Sequence, residues 1–293
     1  MSNFYLGCAV WAHRDWLGDF YPKGSQSGDF LQLYGDRLTA VEGNTTFYSI
    51  PDEPTVARWA AQTPDSFRFC LKLPRLYSHD GPLVPQIQGS HDFLSRMQPL
   101  GPRRGPLFIQ LPPSYSPNMR ADLLGFLDAW PAADDPLHMP LALELRHRGW
   151  FIPSLAADIN QALQARGMGR VLLDTRLMYE GPDDPQALSQ RQKPNLPLQP
   201  DVTAPFTLVR FITHPEPLRN QAYLQEWAER VVDWLAAGIQ VYFFVHCPME
   251  ARSPATTRSF QRLVERRGRQ RGVEIPPLPW DQVQEPPAQL SLF

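Results

Sequence analysis

Residues 206–246 read Phe206-Thr207-Leu208-Val209-Arg210-Phe211-Ile212, then a helical segment over 221–237 halted by Gly238, then Gln240-Val241-Tyr242-Phe243-Phe244-Val245-His246. Both flanking runs are apolar without strict alternation, the pattern of parallel strands buried on both faces, and glycine past the last turn is a common helix stop. The unit is strand, crossover helix, strand. Six more such runs cover residues 4–11, 39–47, 68–74, 106–112, 140–146 and 169–175, with helical segments at 53–62, 120–130 and 155–166 between them. Eight strand-helix units within 293 residues predict an α/β fold of the closed (β/α)8 TIM-barrel type, because doubly wound sheets more often end at five or six strands.

Two stretches depart from that rhythm. Residues 178–205 carry Pro182, Pro185, Pro194, Pro197, Pro200 and Pro205 among polar neighbours, which reads as an insertion in the barrel, either a lid or a tolerated surface loop. The barrel is expected over residues 1–271, and the Pro-rich stretch 272–293 as an extended tail leaving it. A net charge of −2 gives no overall attraction to phosphate backbones or anionic membranes. Three cysteines, Cys8, Cys70 and Cys247, fit neither a disulfide framework nor a zinc knuckle, and suit a reducing compartment. With no leader-like N-terminus and no apolar run of membrane-spanning length, a cytoplasmic protein without a membrane partner is expected.

The carboxyl ends of parallel barrel strands share one face, so polar residues there converge. The sequence puts Trp11, His13, Glu42, Asn44, Lys72, Arg75, His79 and Gln110 at such ends, followed by Glu144, Arg146, His147, Asp174, Arg210, His214 and His246. Glu42, Lys72, Glu144, Arg146, Asp174 and Arg210 interrupt or adjoin apolar runs, where unpaired charge is costly. They either neutralise one another as a salt-bridged mouth or face a wet pocket.

Several of these residues fall in longer motifs: Trp11 and Trp16 with Phe20-Tyr21-Pro22, Val41-Glu42-Gly43-Asn44-Thr45-Thr46-Phe47-Tyr48, Lys72-Leu73-Pro74-Arg75, and Gln110-Leu111-Pro112-Pro113. Glu144-Leu145-Arg146-His147 with Trp150, and Val209-Arg210-Phe211, continue the set. In this fixed order they closely resemble the domain of unknown function 72 family across about the whole barrel. The resemblance implies a (β/α)8 barrel with a pocket at Glu42, Asn44, Lys72, Glu144, Arg146, His147 and Arg210, and no settled activity. Val245-His246 stands where members of that family usually carry paired Asn.

Lys72, Arg146 and Arg210 offer cations from three strands, and the arginine fork suits phosphate or carboxylate. An anionic substrate is expected, with Trp11, Asn44 and His79 completing its binding set. Glu42 and Glu144 are the candidate acid and base, His147 an alternative proton carrier and Asp174 a further catalytic carboxylate. Glu42, Glu144, Asp174 and His246 also make an oxygen and imidazole set suited to a divalent metal, although no HxxxH spacing marks one. No P-loop, GxSxG elbow or Cys-His signature is present.

The chain ends Gln289-Leu290-Ser291-Leu292-Phe293, which resembles the pentapeptide by which bacterial proteins dock on the DNA polymerase sliding clamp. A chance match at one position has a probability on the order of 10⁻⁵. Gln289, Leu290, Leu292 and Phe293 are the expected clamp contacts. Arg262, Arg266, Arg267, Arg269 and Arg271 form a basic stretch that is either a solvated helix face or a contact for nucleic acid. Two functions fit these features. One is a hydrolase or nuclease-like enzyme for a phosphate-bearing substrate, recruited to the clamp. The other is a non-catalytic module that binds an anionic ligand and uses the tail for a partner.

Overall fold

A computed structural model describes residues 3–180 and 193–283. Its strands are β1 (Phe4–Cys8), β2 (Ala40–Gly43), β3 (Arg68–Leu71), β4 (Leu107–Gln110), β5 (Leu141–Glu144), β6 (Gly169–Asp174), β7 (Phe206–Ile212) and β8 (Gln240–His246). All eight expected strands form, and every pairing is parallel. They divide into a six-stranded sheet ordered β1-β8-β7-β6-β5-β4 and a two-stranded sheet of β2 and β3. Hydrogen bonds also cross both seams between these sheets. Thr39 N–H donates to Leu6 O at 3.2 Å, and Leu6 N–H to Thr39 Oγ1 at 2.8 Å. On the other side Leu73 N–H donates to Phe108 O and Gly105 N–H to Phe69 O, both at 3.0 Å.

The helices are α1 (Phe30–Gly35), α2 (Thr45–Tyr48), α3 (Glu53–Ala61), α4 (Arg75–Ser78), α5 (Ile87–Arg96), α6 (Arg120–Asp128), α7 (Pro153–Gln164), α8 (Pro217–Ala236) and α9 (Ser253–Arg271). Their ends follow local chemistry. Asp52 Oδ1 takes the Thr55 N–H at 3.0 Å to start α3, and Gly272 at φ +69° stops α9. The strand expected over 39–47 is shorter, because the chain turns at Asn44 and winds into α2.

Alternate residues of a strand face opposite ways. One face collects Tyr5, Ala40, Cys70, Phe108, Ala142, Val171, Leu208 and Tyr242 into a single apolar cluster with a member from every strand. The other face carries residues such as Leu6, Val41, Ile109, Leu172, Val209 and Phe243, which join the larger core under the helices. Close approach at the first seam depends on Gly7, where a Cβ would lie 1.9 Å from Ala40 O. Tyr34 stitches the same place, its hydroxyl accepting the Cys8 N–H at 2.6 Å and donating to Ala40 O at 3.0 Å.

The stretch from residue 272, expected to leave the body, stays on it to Val283. Leu278 and Trp280 are buried, the Trp280 ring lies 4.8 Å from that of Phe20, and Arg258 binds Asp281 at 2.8 Å. Apolar Val273, Ile275, Leu278 and Trp280 among the prolines explain why. The Gln289–Phe293 pentapeptide lies outside the described residues, as do residues 181–192 of the Pro-rich insertion. The rest of that insertion is tied down. Thr175 Oγ1 donates to Pro194 O at 3.0 Å, Thr203 Oγ1 donates to Met168 O at 2.8 Å, and Leu196 is buried. Among the described residues no helix is long and apolar enough to cross a membrane.

Candidate functional site

Strand parity decides what meets at the carboxyl ends. Glu42, Lys72, Gln110, Glu144, Arg210 and His246 share the parity of the small inner cluster, and all are buried. Arg210 is the hub. Its Nη2 and Nε donate to Glu42 Oε1 and Oε2 at 2.7 and 2.9 Å, and its Nη1 donates to Glu144 Oε2. Arg146 Nε donates to the other Glu144 oxygen at 2.7 Å. Asn44 Nδ2 reaches Glu42 Oε1 at 2.6 Å, and His246 Nε2 lies 2.8 Å from Oε2.

Glu42 therefore has four donors on its two oxygens, as many as a carboxylate readily accepts. Burial alone would raise its pKa, but Arg210 and His246 outweigh burial and hold it well below the usual range. Glu144 is likewise pushed up by burial and brought down to about 2 by Arg210, Arg146 and Lys72. Both stay ionised at neutral pH, so as proton carriers they are poorly placed; the geometry makes them holders of Arg210. Burial drives His246 down to about 4 despite Glu42. A neutral ring beside an ionised carboxylate donates from Nε2, which leaves Nδ1 as an acceptor.

Lys72 donates to Gln110 Oε1 at 2.9 Å, and its ammonium sits 3.6 Å from the Phe47 ring centroid. Burial, then Arg210, lowers its pKa to about 7. His79 is held at about 4, mainly by burial and then by the Lys72 charge, and shares a 2.9 Å hydrogen bond with Ser78 Oγ. Two further ionisable groups join this end. Lys193 is fixed through its carbonyl, which accepts the Tyr179 hydroxyl at 2.5 Å. Its charge acts on Glu42, Glu144, Arg146 and Arg210, and burial followed by Arg210 lowers it to about 8. Glu250, just after β8, feels Glu42 and Lys193, is raised by burial to about 7, and has a buried Oε1 without a partner among the described residues. A lone lysine in a Pro-rich run and a lone glutamate in a turn carry no motif, so neither stands out in the sequence.

Other sequence candidates are placed differently. Asp174 has the parity of Leu172 and faces the helices, not Arg210. It takes Arg176 Nε and Nη2 at 3.0 and 2.8 Å and the Trp227 indole N–H at 2.8 Å. That corrects its assignment as a catalytic carboxylate of this site. Asp174→Asn should cost about 2 kcal/mol of stability, since it weakens charge-assisted bonds to donors on two residues, Arg176 and Trp227. Urea unfolding checks this, and an unchanged midpoint would contradict the structural role of Asp174. His147 spends Nδ1 on the Gly149 N–H at 3.0 Å, capping a 3-10 turn. Trp11 packs edge-on against Trp59 at 5.4 Å and remains partly exposed. The metal set of Glu42, Glu144, Asp174 and His246 does not assemble. Asp174 faces away, Arg210 fills both glutamates, and among the described residues no group of three or more such ligands could hold an ion.

Comparison with known proteins matches residues 5–283 to the family described as "Protein of unknown function DUF72". The UPF0759 protein YecE of Escherichia coli K12 is 34% identical over 253 residues, covering 85% of this chain and 88% of that protein. The UPF0759 protein YunF of Bacillus subtilis is 25% identical over 60% of this chain and 62% of its own. Among solved structures, a DUF72 family protein of Thermotoga maritima (TM1631) superposes with a TM-score of 0.65 and 20% identity, covering 89% of this chain and 99% of that one. One from Enterococcus faecalis (EF0366) gives 0.61 and 17%, covering 98% and 99%.

Proposed function

The chain belongs to the DUF72 family of proteins of unknown function, and on that footing we propose that it is a closed (β/α)8 barrel enzyme acting on an anionic, phosphate-bearing substrate. Closure is supported by the hydrogen bonds across both seams and by the inner cluster drawn from every strand. The substrate sits at the strand carboxyl ends.

One observation carries the reading. Both buried glutamates are consumed by Arg210 and Arg146, while Lys72 and Lys193 lie among them with no carboxylate at ion-pair distance among the described residues. Burial penalises such cations unless an anion joins them. A phosphate group balances these charges in this reading, taking the free Lys72 and Lys193 hydrogens and the outer donors of Arg146. Asn44 and His79 complete the binding wall, Trp11 lines its rim, and His246 Nδ1 or Glu250 handles the proton. The full-length chain is tested with inorganic pyrophosphate by calorimetry and with p-nitrophenyl phosphate for turnover. Saturable binding with turnover is expected; absence of both sinks the proposal.

The committed state of Glu42 and Glu144 favours a second reading, in which the same site binds an anion without turning it over. Binding with no turnover, with or without added divalent metal, selects it. The Gln289–Phe293 tail supports recruitment to a sliding clamp, hence a cytoplasmic role at DNA. Deleting those residues should eliminate clamp binding in a pull-down with purified clamp, and unchanged binding removes the link.

A further inference from the structure

The arginines of α9 fall into two groups. Arg258, Arg267 and Arg271 are paired with Asp281, Glu229 and Asp233. Arg262, Arg266 and Arg269 are exposed and make no ion pair among the described residues, as is also true of Arg252 just before the helix. Steps of three and four residues put Arg262, Arg266 and Arg269 on one stripe. Arg252, Arg262 and Arg266 line a cleft of about 740 Å³ between α8 and α9, with Asp19 as its one acidic lining residue among the described residues. A chain of net charge −2 thus keeps a local run of unbalanced positive charge.

One end of the cleft lies on the side of the strand carboxyl ends. Pro217 and Asn220 follow β7, and Arg252 follows the β8 turn that holds Glu250. Arg252 and Arg266 are fourteen residues apart, about 21 Å at helical rise. That length suits several phosphates in series rather than one. Among the described residues no aromatic side chain lines the cleft, so contact there falls on the sugar-phosphate backbone rather than on stacked bases.

We propose that the cleft between α8 and α9 is a track for a single nucleic-acid strand, whose backbone phosphates meet Arg252, Arg262 and Arg266 as the strand runs towards the strand-end site. The substrate class named here rests on the phosphate-binding reading of that site. Binding along the track is indifferent to base identity, depends on salt, and adds length-dependent affinity to whatever a single phosphate group obtains.

The test uses the full chain and fluorescein-labelled single-stranded oligonucleotides of dT and dA, measured by anisotropy across a salt series. The double substitution Arg262→Glu with Arg266→Glu should weaken binding at least tenfold. It should also flatten the log-affinity against log-salt slope by about 1.4, at about 0.7 per phosphate contact on a single strand, while pyrophosphate affinity is kept. Unchanged oligonucleotide affinity and slope overturn the proposal. Arginine-dependent binding of polyglutamate or inorganic polyphosphate as tight as that of the oligonucleotide overturns the nucleic-acid assignment. Arginine-dependent oligonucleotide binding in a protein that does not bind pyrophosphate supports the track and fails the strand-end reading, so the two fates are separable.

Discussion

Replacing Arg210 with Met should lower stability by about 3–5 kcal/mol at pH 7, the usual consequence of leaving a buried ion pair half removed. Here one guanidinium serves two carboxylates, Glu42 and Glu144, both fully buried. A chain of this size should lose on the order of 10 °C in melting temperature. The defect has a pH signature. In the native protein both glutamates are depressed, Glu144 to about 2. Their contribution is complete above the ordinary glutamate range near pH 4.3 and is lost as pH falls through the folded values. Without Arg210 burial dominates, both carboxyls shift upward, and protonation relieves them. The gap between wild type and variant should therefore narrow as pH drops from 7 to 4 in urea unfolding. Adding Glu42→Gln and Glu144→Gln to Arg210→Met should recover part of the loss. A gap under 1 kcal/mol, or one that does not change with pH, contradicts the hub role of Arg210.

Pyrophosphate affinity should fall as pH rises from 6.5 to 8.5. In the free site Lys72 titrates near 7 and Lys193 near 8, and an anion prefers the ammonium form. Protonation is available below those values and lost above them, each lysine weakening binding towards tenfold per pH unit beyond its own pKa. Binding at about pH 8, where the free lysines are partly or mostly deprotonated, should take up protons, visible as a difference in calorimetric enthalpy between two buffers of unlike ionisation heat. Lys72→Met should weaken binding at pH 6.5 by about tenfold or more, the worth of a charged hydrogen bond, and make the pH profile shallower. A flat profile with no proton uptake would place the anion somewhere else.

The strand pattern was open to reading because both faces of each strand are buried, so apolar runs mark β7 and β8 to the residue. The same feature hides parity. When Leu172 and Leu173 are both apolar, nothing in the sequence says that Asp174 points to the helices while Arg210 on the next strand points inward. Glu42, Lys72, Glu144 and Arg210 were legible as charges amid apolar neighbours. Their division into holders and free cations was not, since it depends on which nitrogen reaches which oxygen. Lys193 and Glu250 lie in segments without periodicity, where only the folded path brings them to the site.

The pairing of β1 with β8 has a consequence in time. Phe4 meets Val241, and Phe20 packs on Trp280, so β1 is translated long before β8, its partner on that edge, while its other edge meets Thr39 early. At synthesis rates of about 5–20 residues per second, β1 waits on the order of tens of seconds with its β8 edge unpaired. Cutting the chain short anywhere before β8 leaves that edge of β1 without its partner.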